Sequence, residues 1–498
     1  LSPKVRSPMW PWPPIGPRPR LFSAQEPAEE LRIQIDMRIA ARTAGLCVLI
    51  VLFLAGPGLP QQEEPSLSGG VPANRSPAAD DTHSLSEAPH AAGTLGYYID
   101  VAREMSPAGE SARLRMESAI AAADAAGALP DPSFTYGHYF EEVETRVGPQ
   151  VARLGVRQRI PLFGKRGLER SAAVHRAESE NVRLTAQLLD VELAVTRAYA
   201  EYAFLARAVE ITRERGRLLE SLEKVVRVRY ATGEAGYGDL MRARIAAART
   251  NDALESRLAG RASASSMLSA AAGLSEDTEL PWPRSVPEPP EVDEETIIGR
   301  FLRSSPDLRA ADAEIAAATD ARELAGRSYL PDLTLGVDYI LTDEAATPVR
   351  ESGKDPIVGM ATVSVPLWFG KHSAGVRSAE AHLAAMKRRR EQLRNDLMAR
   401  LRARMFELGD ARRRLGLYRD SIVPAAEQSV ASTEAAYTAG GANFDELARA
   451  HETVLERRLE LERSRVDLLI ASAELARLVG ESEGIAAPGR QVIEQREE

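Results

Sequence analysis

The chain states one pattern twice, and the repeated unit contains both strand and long-helix periods. Leu129-Pro130-Asp131 opens a segment that runs to Pro161-Leu162-Phe163-Gly164-Lys165. Leu330-Pro331-Asp332 opens another that runs to Pro366-Leu367-Trp368-Phe369-Gly370-Lys371. Tyr230-Ala-Thr-Gly233, leading to Asp239-Leu240, is echoed by Tyr437-Thr-Ala-Gly440, leading to Glu446-Leu447. The offset between copies grows from 201 residues at Pro130/Pro331 to 207 at Gly233/Gly440, so small insertions separate them. Self-similarity of this extent means duplication.

Period two follows each Leu-Pro-Asp. Phe134, Tyr136, His138 and Phe140 alternate with Thr135, Gly137 and Tyr139; Ala152, Leu154, Val156 and Ile160 alternate with Arg153, Gly155, Arg157 and Arg159. The second copy sets Leu333, Leu335, Val337, Tyr339 and Leu341 against Thr334, Gly336 and Asp338. It then sets Ile357, Ala361, Val363 and Val365 against Met360, Thr362 and Ser364. These are amphipathic strands, about the 9–11 residues needed to cross a bilayer at a tilt. Four such strands cannot close a barrel, and an open edge in hydrocarbon leaves backbone groups unpaired. Spanning lipid therefore requires several copies to pool their strands. In that arrangement Arg153, Arg157, Arg159, Thr362 and Ser364 face water inside.

After each Pro-Leu-aromatic-Gly the period lengthens. Leu188, Val191, Val195, Ala198, Tyr202 and Leu205 step by threes and fours, as do Leu397, Leu401, Met405, Leu408, Ala411 and Leu415. These are coiled-coil-like seams. The first helix, Gly167 to Tyr230, holds no proline and would be about 95 Å long. Each long helix turns at glycines and returns. Pro424 interrupts only the second ascending helix, where a kink is expected; its counterpart in the first half is Arg217.

The organisation read from these patterns is as follows. Residues 1–60 are a leader and signal peptide with Met37 as candidate start, and 61–93 are a disordered linker. Residues 94–280 form a first repeat (helix, β-hairpin 133–160, helical hairpin 165–273). A Pro-rich connector spans 281–293. Residues 294–480 form a second repeat (helix, β-hairpin 332–366, helical hairpin 372–479), and 481–498 are a tail. The apolar run 45–54 is too short to span a membrane and suits a signal-peptide core. Cys47, the sole cysteine, begins that run rather than following it, so lipidation is not expected. Before each hairpin a helical stretch is expected, about Tyr97–Ala126 and Glu294–Arg327, the latter carrying the helix-start signal Ser305-Pro306-Asp307.

The order of these motifs, given in duplicate, resembles the TolC-like outer-membrane efflux factors over about residues 94–480. The Pro-Leu-Phe-Gly-Lys-Arg form is closer to the heavy-metal and cation branch. The resemblance implies a mainly α fold with long helical hairpins forming a periplasmic α-barrel. Four strands per chain would contribute to a homotrimeric twelve-stranded barrel in outer-membrane lipid. It further implies an exit duct that passively conducts metal cations or small toxic compounds from an inner-membrane pump joined through a periplasmic adaptor. Adaptor-docking tips then fall on Tyr230, Gly233, Gly236, Asp239 and Leu240, and on Tyr437, Gly440, Asn443 and Leu447. A periplasmic gate falls on Asp445 and Glu446. Strand–helix junctions fall on Pro130, Pro161, Gly164, Pro331, Pro366 and Gly370. A second expected gate acid is Arg449 here, and a latching arginine is Ala442, so the chain departs from the drug-efflux pattern. Glu446 also suits a plain first-turn acid. A type I protein-secretion duct shares the family, and a soluble periplasmic coiled-coil scaffold is the rival of another class.

Neither composition nor motifs point to catalysis. Net charge is −9 and bases interleave with acids, as on solvated helix faces, so no nucleic-acid partner is expected. The seven histidines form no ligand spacing, the ten methionines no cluster, and Gly233–Gly238 follows a helix, unlike a phosphate loop. No cofactor, metal site or enzymatic activity is expected.

Overall fold

The computed structural model describes residues 93–291, 293–347 and 349–481. The expected leader and signal peptide, the expected linker up to residue 92, and residues 482–498 lie outside these. The first repeat contains α1 (Leu95–Met105), α2 (Pro107–Ala126), β1 (Ser133–Val143), β2 (Gln150–Ile160), α3 (Lys165–Ala231) and α4 (Tyr237–Ala272). The second contains α5 (Glu294–Ser304), α6 (Pro306–Gly326), a 3₁₀ turn (Arg327–Tyr329), β3 (Asp332–Thr342), β4 (Ile357–Ser364), α7 (Phe369–Leu417), a π-helical turn (Tyr418–Ile422), α8 (Val423–Thr438) and α9 (Phe444–Val479).

The stretch read as one helix over Tyr97–Ala126 is two. Ser106 is extended (φ −68°, ψ 121°) because Pro107 disfavours helical backbone in the residue before it. Ser305 does the same before Pro306, with φ −53° and ψ 117°. The Ser-Pro pair at 106–107 is the same helix-start signal as that at 305–306.

The π-turn has a simple origin. Equivalent residues are 206 apart at Gly164/Gly370 but 207 apart at Tyr230/Tyr437, so the second ascending helix holds one extra residue. A regular helix would rotate everything after an insertion by about 100° and turn its apolar stripe away from the core. A π-turn absorbs the residue and keeps the stripe in phase. Here the Val423 N–H donates to the Tyr418 carbonyl, five residues back. Pro424, which has no N–H to give, is the second residue of α8.

The strands form one antiparallel sheet in the order β1-β2-β3-β4. The helices pack into a body whose middle is α3. It contacts α1, α2, α4, α6 and α9, whereas α7 packs on α6 and α9. The main core lies where Tyr98, Ile99, Val195, Tyr199, Tyr202, Leu268 and Val466 meet. The connector is bound to it: Tyr199 donates its hydroxyl to Ser285 O (2.8 Å), Tyr202 donates to Leu280 O (3.1 Å), and the Trp282 ring stacks on Tyr202 at 5.0 Å. Burial pushes the Tyr98 and Tyr199 hydroxyls up to about 12. Four helices end on glycines in left-handed backbone, Gly233, Gly273, Gly440 and Gly480. At each, the next N–H reaches a carbonyl five residues back, as Glu234 to Arg229 and Gly441 to Ala436, which satisfies the open helix end.

Candidate functional site

The sheet register sorts the side chains cleanly. Phe134, Tyr136 and His138 stand opposite Val156, Leu154 and Ala152; these in turn oppose Val337, Tyr339 and Leu341 of β3. Leu333, Leu335 and Tyr339 then oppose Val363, Ala361 and Ile357 of β4. One face is thus apolar across all four strands, and much of it is bare: Phe140 is 94% exposed and Ile357 70%. At the helix-proximal end Trp368, Phe369 and Phe163 are also exposed, as in an aromatic girdle at a membrane interface.

The opposite face is polar and charged. Asp338 is buried between two arginines: Arg153 hydrogen-bonds one of its oxygens, and Arg157 Nη2 lies 3.6 Å from the other. Gly155 lies directly across from Asp338, and a Cβ there would stand 2.2 Å from its Oδ1. Gly336 likewise faces Arg157, where a Cβ would meet the arginine Cγ at 2.9 Å. These two glycines make room for the ionic cluster. Further along, Asp332 accepts from Arg159 and from Lys165 Nζ (2.7 Å). Period two placed the arginines and Asp338 on polar faces but did not say which cation meets which carboxylate, because cross-strand register was not in the pattern.

The junction motifs touch across the repeats. Lys165 Nζ donates to Leu330 O (2.7 Å) as well as to Asp332, so Gly-Lys of the first repeat holds Leu-Pro-Asp of the second. Gly164 has φ +70°, and Arg327 donates to Phe163 O beside it (2.6 Å). Gly370 is unlike its counterpart: it lies in the first turn of α7 with no positive φ. Pro161 and Pro366 follow the ends of β2 and β4; Pro130 and Pro331 precede β1 and β3.

At the far ends of the helical hairpins the two tips meet. Val226 and Leu240 pack with Tyr437, Phe444 and Leu447, all buried. Arg229 joins the tips, with its guanidinium 4.8 Å from the Tyr437 ring centre and Nη1 donating to Tyr437 O (3.3 Å). Leu240, Tyr437 and Leu447 therefore serve the packing between tips, while Tyr230, Gly233, Gly236, Gly440 and Asn443 are on the surface. Val226, Arg229 and Phe444 were not singled out from sequence; Arg229 and Phe444 adjoin the Tyr230 and Asn443 that were.

The tips differ in capping. Asn443 Oδ1 accepts from Glu446 N (2.9 Å) and Glu446 Oε2 accepts from Asn443 N (3.2 Å), a reciprocal capping box. At the equivalent place in the first repeat, Asp239 Oδ2 accepts from Gly236 N (3.2 Å), but glycine returns nothing. The Arg242 hydrogen bond holds the Asp239 carboxyl below the usual range, helped by that Gly236 N–H. Asp445 pairs with Arg449 one turn on. Of the two acids expected at the gate, Glu446 is thus engaged in a helix cap and Asp445 in an ion pair. Above the tip, buried His451 lies 3.0 Å from Glu434 with Arg215 nearby; burial lowers the imidazole pKa and Arg215 adds to it, against Glu434.

No described helix is long and apolar enough to cross a membrane. Among the described residues no group of three or more His, Cys, Asp or Glu could hold a metal ion.

Comparison with known proteins agrees with this geometry. The model of the family described as outer membrane efflux protein matches residues 98–274 and 297–481, one match per repeat. Among solved structures, the outer membrane protein VceC of Vibrio cholerae is 20% identical, covering 78% of this chain and 96% of its own, with a TM-score of 0.64. CusC, a protein whose structures concern transmembrane channel formation, is 15% identical over 82% of this chain and 99% of its own, TM-score 0.66. The Neisseria gonorrhoeae outer membrane channel MtrE in its open state is 16% identical over 78% and 89%, TM-score 0.62. No curated protein matches the chain. With a family model covering both repeats, and a fold of long helical hairpins and four strands, the chain belongs to the outer membrane efflux protein family: it is an outer-membrane channel component with a large periplasmic helical part, and not an enzyme.

Proposed function

We propose that three copies of this chain form the exit duct of a tripartite efflux system, passing a small toxic solute or a metal species from a periplasmic adaptor and an inner-membrane pump to the exterior. The observation that carries the reading is that each repeat is completed by the other along one side only. β2 pairs with β3, and α6 bridges α3 and α7, but β1 and β4 are sheet edges and α7 has bare apolar residues such as Phe406, 75% exposed. Applying the β2–β3 register to the duplicated strands sets β4 against β1 of a second copy, with Thr362 opposite Thr135, as Arg157 stands opposite Gly336. The Lys165–Asp332 contact likewise predicts an ion pair between Lys371 and Asp131 of the next copy. Continued around a ring, this pairing leaves no open edge in lipid. The surface residues of the tips, Tyr230, Gly233, Gly236, Gly440 and Asn443, are where we place adaptor docking, with Asp239 at their side. Leu240, Tyr437 and Leu447 hold that surface from beneath. Asp445 and Glu446 stand at the entrance as the gate, and the π-turn at Pro424 is where the second hairpin bends when it opens.

The test is a double variant, Thr135→Cys/Thr362→Cys, oxidised in outer membranes and run on a denaturing gel without reductant. Antiparallel partners sit within disulfide reach. A ladder ending at three chain masses, absent from each single variant, is the expected result. A soluble periplasmic monomer with no ladder would overturn the duct and favour a scaffold.

A further inference from the structure

We propose that Arg157 and Arg159, on the polar wall of the strand barrel, form a cationic collar that favours anionic solutes on their way out. The proposal rests on the trimeric duct reading, which turns the apolar face to lipid and this face to the lumen. Each carboxylate in the wall is shared by two cations. Asp338 is held by Arg153 and Arg157, and Asp332 by Arg159 and Lys165. The carboxylates lie underneath, with side chains 1% and 9% exposed, while Arg157 and Arg159 are 34% and 62% exposed. What the lumen meets is therefore guanidinium, with one positive charge left over at each level. The rest of this face adds no charge in β3 or β4: Thr334, Met360, Thr362 and Ser364 are neutral. The nearest acid of β1 is Glu141, beyond the register irregularity that follows His138 and towards the hairpin turns.

The duplication sharpens the point. The β4 counterparts of Arg157 and Arg159 are Thr362 and Ser364, so the surplus is specific to β2 and not a requirement of the fold. Three chains would place six uncompensated cations around a narrow low-dielectric lumen, which concentrates anions and repels cations. A metal leaving by this route is favoured as an anionic complex over the bare ion, and an organic solute as an acid over an amine.

The experiment compares the full chain with Arg157→Gln/Arg159→Gln in planar lipid bilayers under a tenfold KCl gradient. Arg153 still satisfies Asp338 and Lys165 still satisfies Asp332 in that variant, so no buried charge is stranded. The expected result is a fall in the chloride-to-potassium permeability ratio of about threefold or more, with conductance retained. Arg159→Gln alone, the most exposed position, should give a smaller fall in the same direction. Arg388→Gln, on the exposed surface of α7, should leave the ratio unchanged. An unchanged ratio in the conducting double variant overturns the collar and leaves the duct standing. A wild-type protein that forms no trimer in the membrane overturns the duct itself, and the collar with it.

Discussion

The two ascending helices descend from one ancestral unit and meet different surroundings. α3 buries 23 of its 67 residues, spread from Ala172 through Tyr199 and Tyr202 to Val226. α7 buries only Leu397, Leu401, Met405, Ala411 and Leu415 in its 49, then yields to the π-turn and Pro424. Both carry apolar residues at helical spacing, so the contrast is not in local preference. It comes from position: α3 packs against five helices of its own chain, whereas α7 packs against two and lies at the chain's edge. Duplication copies the order of the elements, but it cannot copy environment when one chain supplies only part of a ring.

The largest test of this contrast moves the interruption. Arg217, exposed on α3, is the counterpart of Pro424. Arg217→Pro should cost about 3 kcal/mol or more, because α3 has no extra residue to open a turn for the ring. Pro424→Ala should cost less than about 1 kcal/mol, since the π-turn is set by the inserted residue rather than by proline. Heat-dissociation of the trimer on gels and thermal melts in detergent read both. Equal losses in the two variants would refute the insertion account.

A second test concerns the glycines that close the descending helices. A Cβ on Gly273 would stand 2.7 Å from Met105 O, and one on Gly480 would stand 2.5 Å from Ser304 O, both in left-handed backbone. Each alanine should destabilise by roughly 2–3 kcal/mol, from strain plus clash. Gly233→Ala and Gly440→Ala at the tips meet open space and should cost about 1 kcal/mol. A melt showing tips as costly as the other ends would mean that something unaccounted for covers them.

A third test is pH. In the second hairpin, burial keeps His451 from taking a proton at its ordinary value of 6.5. Protonation is then tighter in the unfolded chain, so stability is present above about 6.5 and is lost as pH falls below it. Its counterpart in the first hairpin is Arg244, paired with Glu223 at 3.3 Å beside Arg227. Hydrogen bonding from Arg227, and then from Arg244, lowers the Glu223 pKa, so that site weakens only as pH falls below the ordinary 4.5. Melting between pH 6.5 and 5 should therefore respond to His451→Gln and not to Glu223→Gln.

The smallest effect is at the caps. Gly236→Asn gives the first tip the reciprocal cap that Asn443 provides in the second; the backbone is already extended (φ −78°, ψ 156°) and the nearest atom to a Cβ is 3.5 Å away. A gain of a few tenths of a kcal/mol is expected in the melt, with no change in assembly.

Much of the fold was legible because its determinants are short-range. Strand and helix are written in the spacing of apolar residues, and the apolar face of the sheet follows from alternation alone. Glycines at 233 and 440 announce reversals because few other residues accept their backbone. The one-residue drift between Gly164/Gly370 and Tyr230/Tyr437 is the π-turn, present in the sequence as arithmetic. The rest depends on partners far apart in sequence. That Asp332 and Asp338 lie under three arginines, that Lys165 grips the other repeat's Leu-Pro-Asp, and that Leu240 and Leu447 seal one tip against the other are consequences of register and packing. Periodicity says which face of an element is apolar, but not which element covers it. Only the tertiary structure decided that, by packing five helices around α3 and leaving α7, β1 and β4 with a side to share.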